Sequence, residues 1–130
     1  MGIYLNPNND NFAEITSNET DIDKTMMISA LNKIMKVNNK YVCVSRPRRF
    51  GKTIASNMLS AYFSKGVDSR EIFAPYKISR DPSFESNLNK LNVSKIDVNS
   101  EFKNERDKEN LLNNFQNKIV SEFIEQFMKD

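Results

Sequence analysis

Between Thr25 and Lys36, apolar Met27, Ile28, Leu31, Ile34 and Met35 recur three and four residues apart, which places them on one face of a helix. Asp23 or Thr25 supplies the cap, and Asn38 and Asn39 the stop. The pattern then changes. "YVCVS", Tyr41 to Ser45, is a continuous apolar run with β-branched Val42 and Val44, as expected of a strand buried on both faces of a parallel sheet. From Thr53 to Ser64 the helical spacing returns, with Ile54, Met58, Leu59 and Tyr62 expected to face that sheet and Gly66 to end the helix. "NVSKIDVN" reads as a second strand with Val93, Ile96 and Val98 as its apolar members, so strand, helix and strand make a βαβ unit. Between them, Asp68 can cap a short "SREIF" helix, and Asp81 with Pro82 can open another that runs to Leu88. From Leu111 to Met128 apolar residues repeat every three to four positions, predicting a long amphipathic helix that needs a surface to cover its stripe.

The first 22 residues are different. They are rich in Asn, with Pro7 among them, and read as a loop-rich segment anchored by Ile3, Tyr4 and Phe12. A chain of 130 residues has room for one domain, 1–130, and a modest core.

Composition narrows the chemistry. There is no histidine, which removes Ser/His/Asp triads, imidazole bases and zinc sites that need an imidazole. The single cysteine, Cys43, permits no intramolecular disulfide and is expected to be a small buried hydrophobe in its strand. No run approaches the ~20 apolar residues of a membrane helix, the amino end lacks the regions of a signal peptide, and Asn6 stands where a myristoylation signal has Ser or Thr. A cytoplasmic protein with no membrane partner is the expectation.

The net charge of +2 is small, but it is unevenly spread. Lys40 to Arg70 carries seven cations against Asp68 alone, and four of them, Arg46, Arg48, Arg49 and Lys52, sit between the first strand and its helix. Like charges that close repel, so an anion among them is the natural complement. A helix start presents unpaired N–H groups and the positive end of a dipole. Where a strand feeds such a start through a short loop, loop amides can wrap a phosphate, a lysine can reach the β- and γ-oxygens, and a following hydroxyl can ligate Mg²⁺. Gly51, Lys52 and Thr53 have those types in that order, although the general pattern G-x-x-x-x-G-K-[ST] would also place glycine where Arg46 stands. On chemistry alone three readings stay open: a nucleotide phosphate site, a nucleic-acid contact through Arg46, Arg48 and Arg49, and a solvated basic turn.

"YVCVSRPRRFGKT", continuing into "NMLSAYFSKGVDSREIF", resembles the AAA-ATPase-like family of P-loop proteins, whose members often add a nuclease-like domain of the PD-(D/E)XK type. "GIYLNPNNDNF", "DIDKTMMI" and "DPSFESNLNKLNV" resemble other segments of that family in the same order. The resemblance implies an α/β fold: a partial P-loop NTPase domain with a few-stranded parallel sheet flanked by helices, truncated before the Walker B strand. It implies that Gly51, Lys52 and Thr53 contact ATP phosphates, with Thr53 on Mg²⁺, and that Arg46, Pro47, Arg48, Arg49 and Phe50 form the surrounding loop. Arginine at position 46 is usual in the family. Asp23 and Lys24 match a family segment without an assigned role beyond supporting the fold. Asp97 ends the second strand and is read as a structural acid rather than a Mg²⁺ ligand. With a phosphate cradle and no Walker B carboxylate, the expectation is ATP binding with little or no hydrolysis by this chain alone. The rivals are a nucleic-acid phosphate-binding module using the same loop, and an inactive fragment or half of a split protein. The apolar stripe of the last helix is expected either to fold back over the sheet or to pair with another copy of the chain, and the expected protein partners are accordingly a homo-oligomer or a separately encoded remainder.

Overall fold

The computed structural model of the protein describes residues 4–16, 23–36, 41–45, 51–98, 103 and 109–128. Among them the chain is mostly helical. α1 is Asp10–Thr16, α2 Met26–Ile34, α3 Lys52–Phe63, α4 Arg70–Phe73, α5 Phe84–Asn87 and α6 Leu111–Met128, with a 3-10 turn at Lys77–Arg80 between α4 and α5. The helices expected near 25–36, 53–64, 69–73, 82–88 and 111–128 are therefore present.

The parallel sheet is not. Among the described residues there is no strand, only two isolated bridges, Leu5 with Ser94 and Ser64 with Leu91. The expectation of an α/β P-loop sheet is overturned. β-Branched residues favour extended backbone, but a strand exists only where a neighbour takes up its N–H and C=O groups over successive residues. Among the described residues Tyr41–Ser45 has no such neighbour. Tyr41 is 94% exposed, Val42 and Val44 about half exposed, and Cys43 exposed, so neither the buried strand nor the buried cysteine holds. The Val93–Val98 stretch bonds along one edge, where Asn6 N–H donates to the Val93 carbonyl (2.7 Å) and Lys95 N–H to the Tyr4 carbonyl (2.8 Å). Ile96 and Val98 lie exposed beyond that contact.

The core forms instead where helices meet an aromatic cluster. Tyr62 and Phe73 are wholly buried and meet edge-on at 5.9 Å, and Phe12 stacks on Phe73 at 5.0 Å. Each such ring contributes roughly 1.5–3 kcal/mol by leaving water. Phe12 belongs to α1, a helix inside the segment read as loop. Asn8 and Asn9 start it, the side-chain oxygen of Asn8 accepting from Asp10 N–H (3.3 Å) and the Asn9 carbonyl from Ala13 N–H (3.0 Å). Asparagine favours helix starts as well as turns, and the buried ring settles which.

Several polar groups inside the core pair with one another. The Tyr62 hydroxyl donates to the Phe84 carbonyl (2.7 Å) and accepts from Asn32 Nδ2 (3.1 Å), while Asn87 Nδ2 donates to Asn32 Oδ1 (3.0 Å). These bonds tie α2, α3 and α5 together. Asn89, at φ +53°, donates to the carbonyls of Ala61 and Ser64 (both 2.9 Å) and accepts from Ser69 N–H (2.9 Å), closing the end of α3.

α6 has no buried residue. Glu122 Oε2 accepts from the N–H groups of Tyr4 (2.7 Å) and Leu5 (3.2 Å), and Phe115 meets Tyr4 edge-on at 6.0 Å. Val120, Ile124 and Phe127, on the other side of this contact, stay more than half exposed.

The candidate phosphate-binding turn at the start of α3

Gly51 occupies the N-cap position of α3 with φ +82° and ψ +24°, the left-handed region where a β-carbon is strained. Its carbonyl accepts from Ala55 N–H at 2.9 Å. Ala55 thus takes the first bond of the ladder, and helix geometry leaves the amides of Lys52, Thr53 and Ile54 without intrahelical acceptors. Gly51 has no side chain with which to cap the turn. Lys52 and Thr53 are the first two residues of α3 and both are exposed. Arg46, Pro47, Arg48, Arg49 and Phe50 lie outside the described residues, so the structure brings together three of the eight residues expected at the loop.

A further cation reaches this turn. A β-carbon built on Gly51 would lie 2.8 Å from Lys24 Nζ, so the ammonium of Lys24 occupies the space that glycine leaves open. The backbone carrying Lys24 is braced on both sides. Asp23 Oδ1 accepts from Thr25 N–H (2.9 Å) and from the Thr25 hydroxyl (2.6 Å), and Asp23 Oδ2 accepts from Lys77 N–H (2.9 Å). Burial raises the Asp23 pKa, but the hydrogen bonds from Thr25 and Lys77, with the Lys77 charge, outweigh it and hold the carboxyl below its ordinary range. Thr25 is buried and sits at the N-cap of α2, yet its hydroxyl accepts from Ile78 N–H (3.2 Å) instead of capping its own helix. Sequence reasoning placed Asp23 and Lys24 in the fold only. Asp23 and Thr25 were read as alternative caps of the helix, and the reach of Lys24 to Gly51 depends on tertiary packing that no spacing rule gives.

Lys52 also borders a cleft of about 390 Å³ lined by Met27 and Val44, by Leu59 and Phe63 of α3, and by Val93 to Lys95. Ser60 lines it too, and its buried hydroxyl has no hydrogen-bond partner among the described residues. Lys95 Nζ bonds Asn57 Oδ1 at the same cleft. Asp97 is exposed, and among the described residues no group of three His, Cys, Asp or Glu could hold a metal ion. No helix among the described residues is long and apolar enough to cross a membrane.

Residues 9–130 match the model of the family described as "Predicted AAA-ATPase". With nearly the whole chain matched, the protein belongs to this AAA-ATPase-like family. No curated protein and no solved structure matches it.

Proposed function

We propose that the chain binds ATP at the turn into α3. The observation that carries the reading is the left-handed Gly51 at the head of a 12-residue helix, followed at once by Lys52 and Thr53, in a chain of the AAA-ATPase-like family. The amides of the first turn would take phosphate oxygens, and the Lys52 ammonium would offset the charge of the β- and γ-phosphates. Arg46, Pro47, Arg48, Arg49 and Phe50 would form the loop around them. The exposed hydroxyl of Thr53 is of the right type to hold Mg²⁺, which when bound would neutralise phosphate charge. Binding with little or no turnover is the activity proposed for this chain alone. Hydrolysis needs a carboxylate to position water, and Asp23, the acid beside Lys24, is committed to Thr25 and Lys77.

Titration of a fluorescent ATP analogue tests the reading. Saturable binding that Mg²⁺ strengthens and Lys52→Ala abolishes supports it. Absence of such binding, with salt-sensitive DNA binding that falls in Arg48→Ala and Arg49→Ala but ignores Lys52→Ala, replaces it with a nucleic-acid contact.

A further inference from the structure

We propose that the cleft between α3 and the Val93–Lys95 stretch binds a small carboxylic acid with an apolar body, its carboxylate held by the Ser60 hydroxyl and the Lys95 ammonium. The inference goes beyond the ATP reading and does not depend on it. Along α3, Lys52, Ala55, Ser56, Leu59, Ser60 and Phe63 are spaced so that one face of the helix forms a wall of the cleft. The facing wall is held in place: Val93 N–H donates to Asn6 Oδ1 (2.7 Å) and Lys95 N–H to the Tyr4 carbonyl (2.8 Å). At the foot of the helix the two walls are joined, where Leu91 N–H donates to the Phe63 carbonyl and Lys65 N–H to the Leu91 carbonyl (both 2.9 Å). The cleft measures about 390 Å³. Small-molecule sites run from about 300 to 1,000 Å³.

Met27, Leu59 and Val93 pack against the core and line the cleft as well, so much of its surface is apolar. Two polar groups stand within that lining. Ser60 is 4% exposed, and its hydroxyl has no partner among the described residues. Folded chains rarely leave a buried hydroxyl in that condition, and an acceptor entering the cleft would complete it. Lys95 is half-buried and bonds Asn57 Oδ1. Asn57 precedes Ser60 by three residues on α3, a spacing that sets their β-carbons about 5–6 Å apart. The amide oxygen of Asn57 is neutral, so this bond leaves the ammonium its charge, and among the described residues Lys95 makes no salt bridge. A hydroxyl donor and a cation one helix turn apart suit the two oxygens of a carboxylate. A neutral ligand would satisfy Ser60 alone, and a cation would be repelled by Lys95 and by Lys52 at the rim. The body of the ligand is apolar because a polar one would lose water against Met27, Leu59 and Val93 without gaining a partner.

The experiment is calorimetric titration of octanoate and of octan-1-ol into the wild type, Ser60→Ala, Lys95→Met and Lys95→Arg, with a melting curve of each protein. Octanoate is expected to bind the wild type about tenfold more tightly than octanol, the effect of one charge-assisted contact. Ser60→Ala is expected to weaken octanoate by about tenfold and to melt no lower than the wild type, because alanine removes a hydroxyl that makes no bond within the described fold. A residue that served packing alone would move the melting curve and leave the affinity as it was. Lys95→Met is expected to weaken octanoate by about tenfold and leave octanol unchanged, and Lys95→Arg to restore most of the loss. Lys95→Gln takes its place if Lys95→Met melts below the wild type. Absence of octanoate binding to the wild type overturns the proposal. So does equal binding of octanoate and octanol, or an octanoate affinity that survives either the loss of the Ser60 hydroxyl or the loss of the Lys95 charge; the acid then adsorbs on another apolar surface, such as the exposed stripe of α6.

Discussion

Replacing Gly51 by alanine tests the geometry on which the site depends. At φ +82° and ψ +24° a β-carbon crowds its own backbone, at a cost of about 1–2 kcal/mol. The new methyl would also stand 2.8 Å from Lys24 Nζ. That contact is with the far end of a flexible side chain, which can swing away, so the backbone term should dominate. The expected outcome is a loss of ~1–2 kcal/mol in urea unfolding with an unchanged m-value, and a melting temperature lower by roughly 4–8 °C. Gly51→Asn should cost less than Gly51→Ala, since asparagine tolerates the left-handed region. A double-mutant cycle apportions the two terms: if the strain is in the backbone, Gly51→Ala costs the same in a Lys24→Ala background as in the wild type. A Gly51→Ala protein as stable as the wild type, or one rescued by Lys24→Ala, would refute the reasoning.

Three further outcomes follow from the packing. Asn89→Ala removes the two donors to Ala61 and Ser64 and the acceptor for Ser69 N–H, and should cost about 2–3 kcal/mol by urea unfolding. Glu122→Ala frees the backbone of Tyr4 and Leu5 from α6, so amide exchange along Leu111–Met128 should quicken while that of α3 stays as it was. The third concerns acid. The hydroxyl and N–H of Ser83, together with Ser29, hold Asp81 below the ordinary carboxylate range, and Asp23 is held low as well. A carboxylate with a depressed folded pKa gives stability that is present above the unfolded value of about 3.9 and is lost as pH falls through the folded value. The urea midpoint should therefore drop below pH 4, and Asp23→Asn with Asp81→Asn should flatten that drop.

Helices were legible in the sequence and the sheet was misread, for one physical reason. A helix closes its hydrogen bonds within a dozen residues, so the spacing of Met27, Ile28 and Leu31, or of Met58 and Tyr62, carries most of what is needed. "YVCVS" carries only a preference for extended backbone; whether it becomes a strand is decided by residues far away, and here nothing among the described residues pairs with it. Ile54 shows the same limit on a smaller scale. Its spacing fits the core-facing stripe of α3, yet it is exposed, because the surface it was expected to meet was that sheet. α1 was missed for the opposite cause: its Asn-rich start has turn chemistry, and only the burial of Phe12 against Phe73 distinguishes a helix from a loop. At the site, Gly51, Lys52 and Thr53 could be named because the turn is local. Lys24 is 27 positions from Gly51, and no spacing rule links them.

That separation explains why the fold around the 3-10 turn bears on the site. The N–H groups of Lys77 and Ile78 hold Asp23 and Thr25, and those two residues fix the main chain from which Lys24 extends to Gly51. Ile78, wholly buried, anchors the turn in the aromatic core. The position of one ammonium group at the head of α3 is thus set by packing on the far side of α2, through hydrogen bonds that are each worth only about 1 kcal/mol. Loss of the Asp23 acceptor would leave the core intact and Lys24 charged, but would release the braced turn that aims it. Charge alone is supplied by many residues of this chain; what Asp23 and Thr25 add is direction.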